Sequence, residues 1–149
     1  MDPISNHYPI EEIMSEEADS YEPDMTPGLI SWNELMSPDV GGSIEFYKSL
    51  LGWTHESVPM PYGEYHMFKL GDRPVAGMVQ ITEEMGDCPP MWCAYVTVED
   101  ADAAVAKASE LGAQVVKEVT DLPMGRFAVI VDPQGAAISF WESKEGVEC

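Results

Sequence analysis

Short runs rich in hydrophobic residues recur along the chain from residue 29 onward, separated by turn residues, and their length and composition are typical of strands. The first run, over residues 29–36, is followed by Ser37-Pro-Asp39, which interrupts a strand and can cap a helix. Apolar residues then recur every three or four positions over residues 40–51, and Gly52 ends this predicted helix. Three further strands are predicted after it, over residues 53–58, 64–70 and 74–81.

The second half of the chain repeats this order of elements. A helix is predicted to begin at Glu99-Asp100 and to end at Gly112, with strands over residues 92–98, 114–119, 126–131 and 136–141. Pro61-x-Gly-x-Tyr65 has a counterpart in Pro123-x-Gly-x-Phe127, 62 residues later. A repeated order of elements indicates duplication. We therefore predict an α+β fold of two βαβββ modules, one over residues 29–81 and one over 92–142, with a linker at 82–91 and a short C-terminal tail at 143–149.

The first 28 residues differ in composition from the rest and are predicted to form an acidic N-terminal tail. They hold four prolines and eight acidic residues but no lysine or arginine. Low hydrophobicity combined with high net charge favours a segment that is mobile or loosely docked. A single domain is then predicted over residues 29–149, and removal of the tail is expected to leave its folding intact.

The net charge restricts the partners that this chain can have. Its 7 basic and 27 acidic residues give a formal net charge of −20, which repels nucleic acid and anionic membranes. No run approaches the ~20 apolar residues that span a bilayer, and the N-terminus shows no secretory signal. The three cysteines fit free thiols, so a cytoplasmic location is expected. The charge itself fits either solubility or a preference for cationic and neutral small ligands.

Several motifs in this order resemble the vicinal oxygen chelate superfamily, which includes glyoxalase I, extradiol dioxygenases and bleomycin-resistance proteins. Within it, the chain is most similar to uncharacterised proteins described as predicted enzymes related to lactoylglutathione lyase. The resemblance covers residues 29–142 and implies that the sheets of the two modules curl into a cup with the ligand inside. The motifs that carry it are Trp32-Asn-Glu-Leu-Met-Ser-Pro-Asp39, Phe46-Tyr47, Leu51-Gly-Trp53, Pro74-Val-Ala-Gly77, Gly125-Arg-Phe127 and Asp132-Pro-Gln-Gly-Ala136.

The resemblance also implies where a metal would bind, at one position on the first and last strand of each module. In this chain those positions are Trp32, Gly77, Cys93 (or Trp92 in a shifted register) and Ser139. Indole and glycine offer no ligand, serine is a poor one, and a single cysteine would stand alone. The sequence therefore predicts no metal and no other cofactor, and argues against glyoxalase I and extradiol dioxygenase activity.

Strand alternation places a set of aromatic and polar residues on the face that the resemblance assigns to the ligand. Glu34 is the candidate anchor, and Glu34 and Tyr95 are the candidate catalytic residues. Two alternatives remain open: the tryptophans belong to the core, or Glu34 forms a structural salt bridge with Arg126. The predicted ligand-binding residues are Trp32, Glu34, Met36, Gly77, Cys93, Tyr95, Ser139 and Trp141.

Two functional classes fit this face. The first is a metal-independent enzyme that acts on a small organic metabolite, with Glu34 as the general acid or base. The second is a binding protein of the bleomycin-resistance type that sequesters cationic or aromatic compounds. The expected partner is a small molecule in both cases, and open sheet edges together with the resemblance favour a homodimer.

Overall fold

The computed structural model describes residues 23–60 and 63–144. Within these residues the chain forms one curled, unclosed sheet of eight strands with two α-helices, and a 3-10 turn at Glu83–Met85 lies between the modules. The predicted α+β fold of two βαβββ modules is confirmed. The elements are β1 (Ile30–Ser37), α1 (Val40–Leu51), β2 (Thr54–Met60), β3 (Gly63–Leu70), β4 (Arg73–Gln80), β5 (Met91–Thr97), α2 (Ala101–Glu110), β6 (Gln114–Leu122), β7 (Gly125–Val131) and β8 (Ala137–Ser143).

One predicted strand is too short. Residues 114–119 were expected, but β6 continues to Leu122, which pairs with Gly125 in β7. The connection between β6 and β7, predicted to span residues 120–125, is therefore only two residues long. Aspartate is depleted in strands, yet here Asp121 pairs with Arg126, as Thr120 does with Phe127, and both extend the ladder.

The strand order is β2-β3-β4-β1-β5-β8-β7-β6, so each module contributes four neighbouring strands. The first and last strand of each module are parallel, β1 with β4 and β5 with β8. The modules meet where β1 pairs with β5 in antiparallel register, with Glu34 opposite Cys93 and Trp32 opposite Tyr95. We call this β1–β5 pairing the seam. The seam joins two modules of the same chain and does not require a second copy. The homodimer stays a prediction, which light scattering at micromolar concentration would test.

The duplication is retained in how the helices begin. Asp39 and Asp100 cap their helices by accepting hydrogen bonds from backbone N–H groups three residues later, at 3.0 and 3.1 Å. The first helical N–H of each module is also bound by a side chain from that module's last strand, Gln80 at 3.2 Å and Glu142 at 2.8 Å. Each helix start is thus fixed to the strand that lies beside the seam.

The two faces of the sheet have different contents. The helix-covered face holds apolar packing, with Leu35, Phe68 and Met78 buried in module one and Ala128 and Ile130 buried in module two. The opposite face carries the polar groups described below. Neither helix in the described residues has the length and apolar content that crossing a bilayer requires. Most of the predicted tail, residues 1–22, lies outside the described residues, so its dispensability stays a prediction.

Candidate functional site

Glu34 lies at the centre of the face opposite the helices. It belongs to β1, between Gly77 of β4 and Cys93 of β5, and is only 9% exposed. Tyr95 donates a hydrogen bond to its Oε1 at 2.8 Å, and Tyr65 donates one to its Oε2 at 3.2 Å. Each carboxyl oxygen therefore has one phenol donor, and the two donors come from different modules.

The burial of this cluster controls its protonation. Desolvation raises the pKa of Glu34, and the hydrogen bonds from Tyr95 and Tyr65 oppose that rise. Desolvation, followed by the nearby charge of Glu34, raises the pKa of both phenols. The tyrosines therefore remain protonated donors. The raised pKa of Glu34 brings this carboxyl group closer to neutral pH, where an acid–base catalyst is most effective.

Tyr65 reaches Glu34 because Gly77 leaves room for it. A Cβ at Gly77 would overlap the Tyr65 hydroxyl and would lie 2.6 Å from its Cζ. The Trp32 indole Nε1 donates to the same hydroxyl at 2.9 Å. Trp32, Gly77, Glu34 and Tyr95, four of the predicted site residues, thus share one cluster with Tyr65.

Tyr65 was missing from the predicted set, although the sequence held a signal for it. The repeat matches Tyr65 with Phe127, which marks an aromatic position shared by both modules. The register places Met67 opposite Gly77, so Tyr65, two residues before Met67, lies on the same face. Its contact with β1 follows from a long side chain that crosses β4, which alternation alone does not reveal.

Cys93 and Ser139 form a second, smaller contact on this face. Their Sγ and Oγ atoms are 3.0 Å apart, and both residues are buried. Desolvation raises the pKa of the Cys93 thiol, and the hydrogen bond with Ser139 opposes that rise. A raised pKa reduces the thiolate fraction, so Cys93 is a poor nucleophile here. The shifted register that would replace it by Trp92 is excluded, because Trp92 packs against Tyr47 on the helix side.

The structure rules out one of the two alternatives left open for Glu34, a structural salt bridge with Arg126. Arg126 bonds to Asp102 of α2 at 2.7 Å and to Asp121 of β6 at 2.9 Å. It lies opposite Glu142 in the β7–β8 ladder, on the helix-covered face. The strand alternation of β7 therefore directs Arg126 away from the face that carries Glu34.

Met36 and Trp141 do not join the Glu34 cluster. The Trp141 indole donates to Ser143 at 3.0 Å, and its ring lies over Gly125, where an added Cβ would come within 2.6 Å of it. Met36 borders an open groove of about 310 Å³ beside the start of α1, which Phe46 and Pro90 also line. This groove does not include Glu34. Each oxygen of the Glu34 carboxyl group is already bonded to a phenol, so a ligand that binds Glu34 directly would compete with Tyr65 or Tyr95.

The residues at the implied metal positions do not fit a metal ion. The space beside Gly77 is filled by the Tyr65 hydroxyl, and the Trp32 nitrogen is a donor already bonded to it. Cys93 and Ser139 bond to each other. Among the described residues, no group of three His, Cys, Asp or Glu side chains is arranged to hold a metal.

Comparison with known proteins places this arrangement in context. A family model described as a glyoxalase-like domain matches residues 34–140. "Putative glyoxylase CFP32" of Mycobacterium bovis is 41% identical over 114 residues, which are 75% of this chain and 43% of that protein. "Anthracycline biosynthesis protein DnrV" of Streptomyces peucetius is 37% identical over 123 residues, 80% of this chain and 43% of that protein. The chain therefore spans under half the length of these relatives.

Solved structures share the fold at much lower identity. A hypothetical protein from Bacillus halodurans has a TM-score of 0.58 at 14% identity, covering 82% of this chain and 99% of its own. A variant of methylmalonyl-CoA epimerase from Streptomyces coelicolor, bound to 2-nitronate-propionyl-CoA, has a TM-score of 0.55 at 15% identity, covering 79% of this chain and 99% of its own. These similarities concern the fold alone.

Proposed function

Since the chain belongs to the family of glyoxalase-like domains, as its motifs predicted, we propose that it is a metal-independent enzyme that transfers a proton next to a carbonyl group of a small organic metabolite. The observation that supports this proposal is the buried Glu34 carboxyl group held between two phenol donors. A carboxylate with a raised pKa is a suitable base for a weakly acidic C–H bond. A phenol beside it is a suitable donor to the oxygen on which charge develops.

The proposed step uses groups that are all present in the cluster. Glu34 takes the proton from the carbon next to the carbonyl group, and the C–H electron pair moves to form an enolate. Tyr95 turns its hydrogen bond from Glu34 to the enolate oxygen, which stabilises the new charge without giving up the phenol proton. Return of the proton from Glu34 to carbon restores both the carbonyl group and the carboxylate.

Exchange of hydrogen for deuterium tests this step without knowledge of the natural substrate. The protein is incubated in D₂O with a panel of aldehydes, ketones and acyl thioesters that carry an exchangeable C–H, and proton NMR measures loss of that signal. We expect catalysed exchange for at least one member of the panel, reduced about 100-fold or more in Glu34→Gln. Arg126→Gln is the matched control, because Arg126 lies on the opposite face of the sheet. Equal rates for Glu34→Gln and the unmodified protein would reject this role of Glu34.

The metal independence is tested in the same assay. We expect the exchange rate to survive chelation and elemental analysis to find no stoichiometric zinc, nickel or iron, because the implied ligand positions offer no matching donor set. One equivalent of metal together with loss of exchange on chelation would contradict the proposal.

A second candidate is a binding protein that sequesters a planar cationic compound. Two observations favour it: relatives that are named anthracycline biosynthesis proteins, and the net charge of −20. Thermal shift with daunorubicin, which carries an amine on a planar ring system, provides the test. We expect Trp32→Ala and Glu34→Gln to weaken such binding by about 1–3 kcal/mol each. Saturable binding without any C–H exchange across the panel would favour this candidate over the enzyme.

A further inference from the structure

The two tyrosines that bond to Glu34 are held in different ways. The Tyr65 hydroxyl makes two hydrogen bonds, since it accepts from Trp32 at 2.9 Å and donates to Glu34 at 3.2 Å. The Tyr95 hydroxyl donates to Glu34 at 2.8 Å and accepts no hydrogen bond from the described residues. A lone pair on the Tyr95 oxygen therefore has no donor among the described residues, unlike that of Tyr65.

The position of Tyr65 is also fixed by shape. Its ring crosses β4 directly above Gly77, and any side chain there would occupy the volume of its hydroxyl. Trp32 Nε1 would lie 3.0 Å from that same added Cβ, so the indole, the phenol and the backbone of Gly77 are in mutual contact. Because the indole N–H can only donate, the phenol proton must point away from Trp32 and toward the carboxyl group.

We propose that Trp32 and Gly77 are positioning residues, which hold Tyr65 as a permanent donor to Glu34 and leave Tyr95 as the phenol that turns to a substrate. The second part of this statement rests on the proposed function, whereas the first does not. The arrangement occupies the position where the fold family implies a metal ligand, at Gly77. The Tyr65 phenol thus fills this space, and Tyr95 of module two is the phenol that contacts the substrate.

The groups that face Glu34 come from each strand around it. The titratable groups are Tyr65 from β3 and Tyr95 and Cys93 from β5. The other two neighbours, Trp32 from β1 and Gly77 from β4, do not titrate. Loss of a donor to the carboxylate disfavours its charged form. The protonation midpoint of Glu34 therefore reports whether Tyr65 is in place.

The first experiment measures this midpoint by carbon-13 NMR of glutamate side chains over a pH series. We expect Tyr65→Phe to raise the midpoint by about one pH unit, the equivalent of one lost charged hydrogen bond. Trp32→Phe, which keeps an aromatic ring but removes the donor, is expected to move it in the same direction. The double variant should go no further than Tyr65→Phe alone, because Trp32 acts through Tyr65. Gly77→Ala provides a second route to the same result.

A midpoint that Trp32→Phe leaves unchanged, or full additivity in the double variant, would overturn the positioning role. If Gly77→Ala fails to fold, the two aromatic variants still decide the question. Arg126→Gln, whose side chain lies on the other face, is expected to leave the midpoint of Glu34 unaltered.

The second experiment compares the tyrosines in the deuterium exchange assay. We expect Tyr95→Phe to lower the maximal exchange rate about 100-fold or more, whereas Tyr65→Phe shifts the pH profile upward and keeps most of that rate. The opposite ranking would overturn the assignment of Tyr95. If the unmodified protein catalyses no exchange, the proposed function and the role of Tyr95 both fail, and the NMR titration still decides the role of Trp32 and Gly77.

Discussion

The two modules share one fold but hold different chemistry at equivalent positions. Module one places Tyr65 over Gly77, and the phenol reaches the carboxyl group of Glu34. At the positions 62 residues later, module two has Phe127 and Ser139. Phe127 has no hydroxyl to donate, and the side chain of Ser139 fills the space that glycine leaves open. The module with glycine at this point holds Tyr65, Trp32 and Glu34 in a hydrogen-bonded cluster.

The ion pairs of both modules lie outside this cluster. Module two holds Arg126 between α2 and β6, with Asp102 and Asp121 as partners, on the helix-covered face. Its contribution to the cluster is Tyr95, which arrives across the seam. Module one has an ion pair of its own, Lys69 with Glu56 at 3.3 Å, so the modules differ in the polar group at the centre of the sheet and not in the presence of ion pairs.

Two crowded glycines in the strands, Gly77 and Gly125, offer the largest test of this comparison. At Gly125 an added Cβ would meet the backbone carbonyl oxygen of Glu142, whereas at Gly77 it would meet the end of the Tyr65 side chain. The backbone of a paired strand cannot move away, so Gly125→Ala is expected to lower the free energy of unfolding by about 3 kcal/mol. The Tyr65 side chain can change its rotamer, so Gly77→Ala is expected to lower it by about 1–2 kcal/mol. Urea denaturation of both variants measures the difference. Equal losses would mean that Tyr65 is as rigid as a backbone carbonyl group.

Removal of one hydroxyl makes module one resemble module two. Tyr65→Phe leaves a carboxyl oxygen and an indole N–H of a half-buried cluster without their partner, so we expect it to lower the free energy of unfolding by about 1–2 kcal/mol. Tyr47→Phe is the matched control, because the Tyr47 hydroxyl accepts from Trp92 at an exposed position. Tyr47→Phe should lower the free energy of unfolding by only about 0.5 kcal/mol. A larger loss for the control would contradict the importance of the buried cluster.

The pH dependence of stability sharpens the same comparison. Burial raises the pKa of Glu34 in the folded state above its ordinary value of about 4.5, so the folded protein holds this proton more tightly than the unfolded chain. The contribution that Glu34 makes to the free energy of unfolding through this pKa shift is therefore fully present below about 4.5. It is lost as the pH rises through the folded-state pKa. Relative to Glu34→Gln, the unmodified protein should lose stability as the pH increases. Parallel stability curves would show that the carboxyl group is not perturbed.

The smallest expected effect concerns the thiols. Cys93 is 7% exposed, and burial raises its pKa, whereas Cys88 in the linker is more exposed. In the folded protein iodoacetamide should label Cys88 at least about ten times faster than Cys93. Peptide mapping by mass spectrometry separates the two sites. Fast labelling of Cys93 would show that module two also holds a reactive group.

The fold was predictable because its signals are local and repeated. Length, composition and turn residues predicted the strands, and alternation predicted the shared face, since each strand has a period of two whatever lies beside it. The site was predicted only in part. Alternation cannot show that Tyr65 crosses a neighbouring strand, or that Arg126 at a strand start points toward α2. Both depend on long side chains and on partners that are distant along the chain.

The bond between Tyr95 and Glu34 crosses the seam, and this location gives it a further meaning. If one half slid past the other by two residues, every seam residue would still face the same side of the sheet, because side chains alternate with a period of two. Tyr95 would then have travelled about 7 Å from its acceptor. The hydrogen bond between Tyr95 and Glu34 therefore forms only when the two modules pair in the observed register.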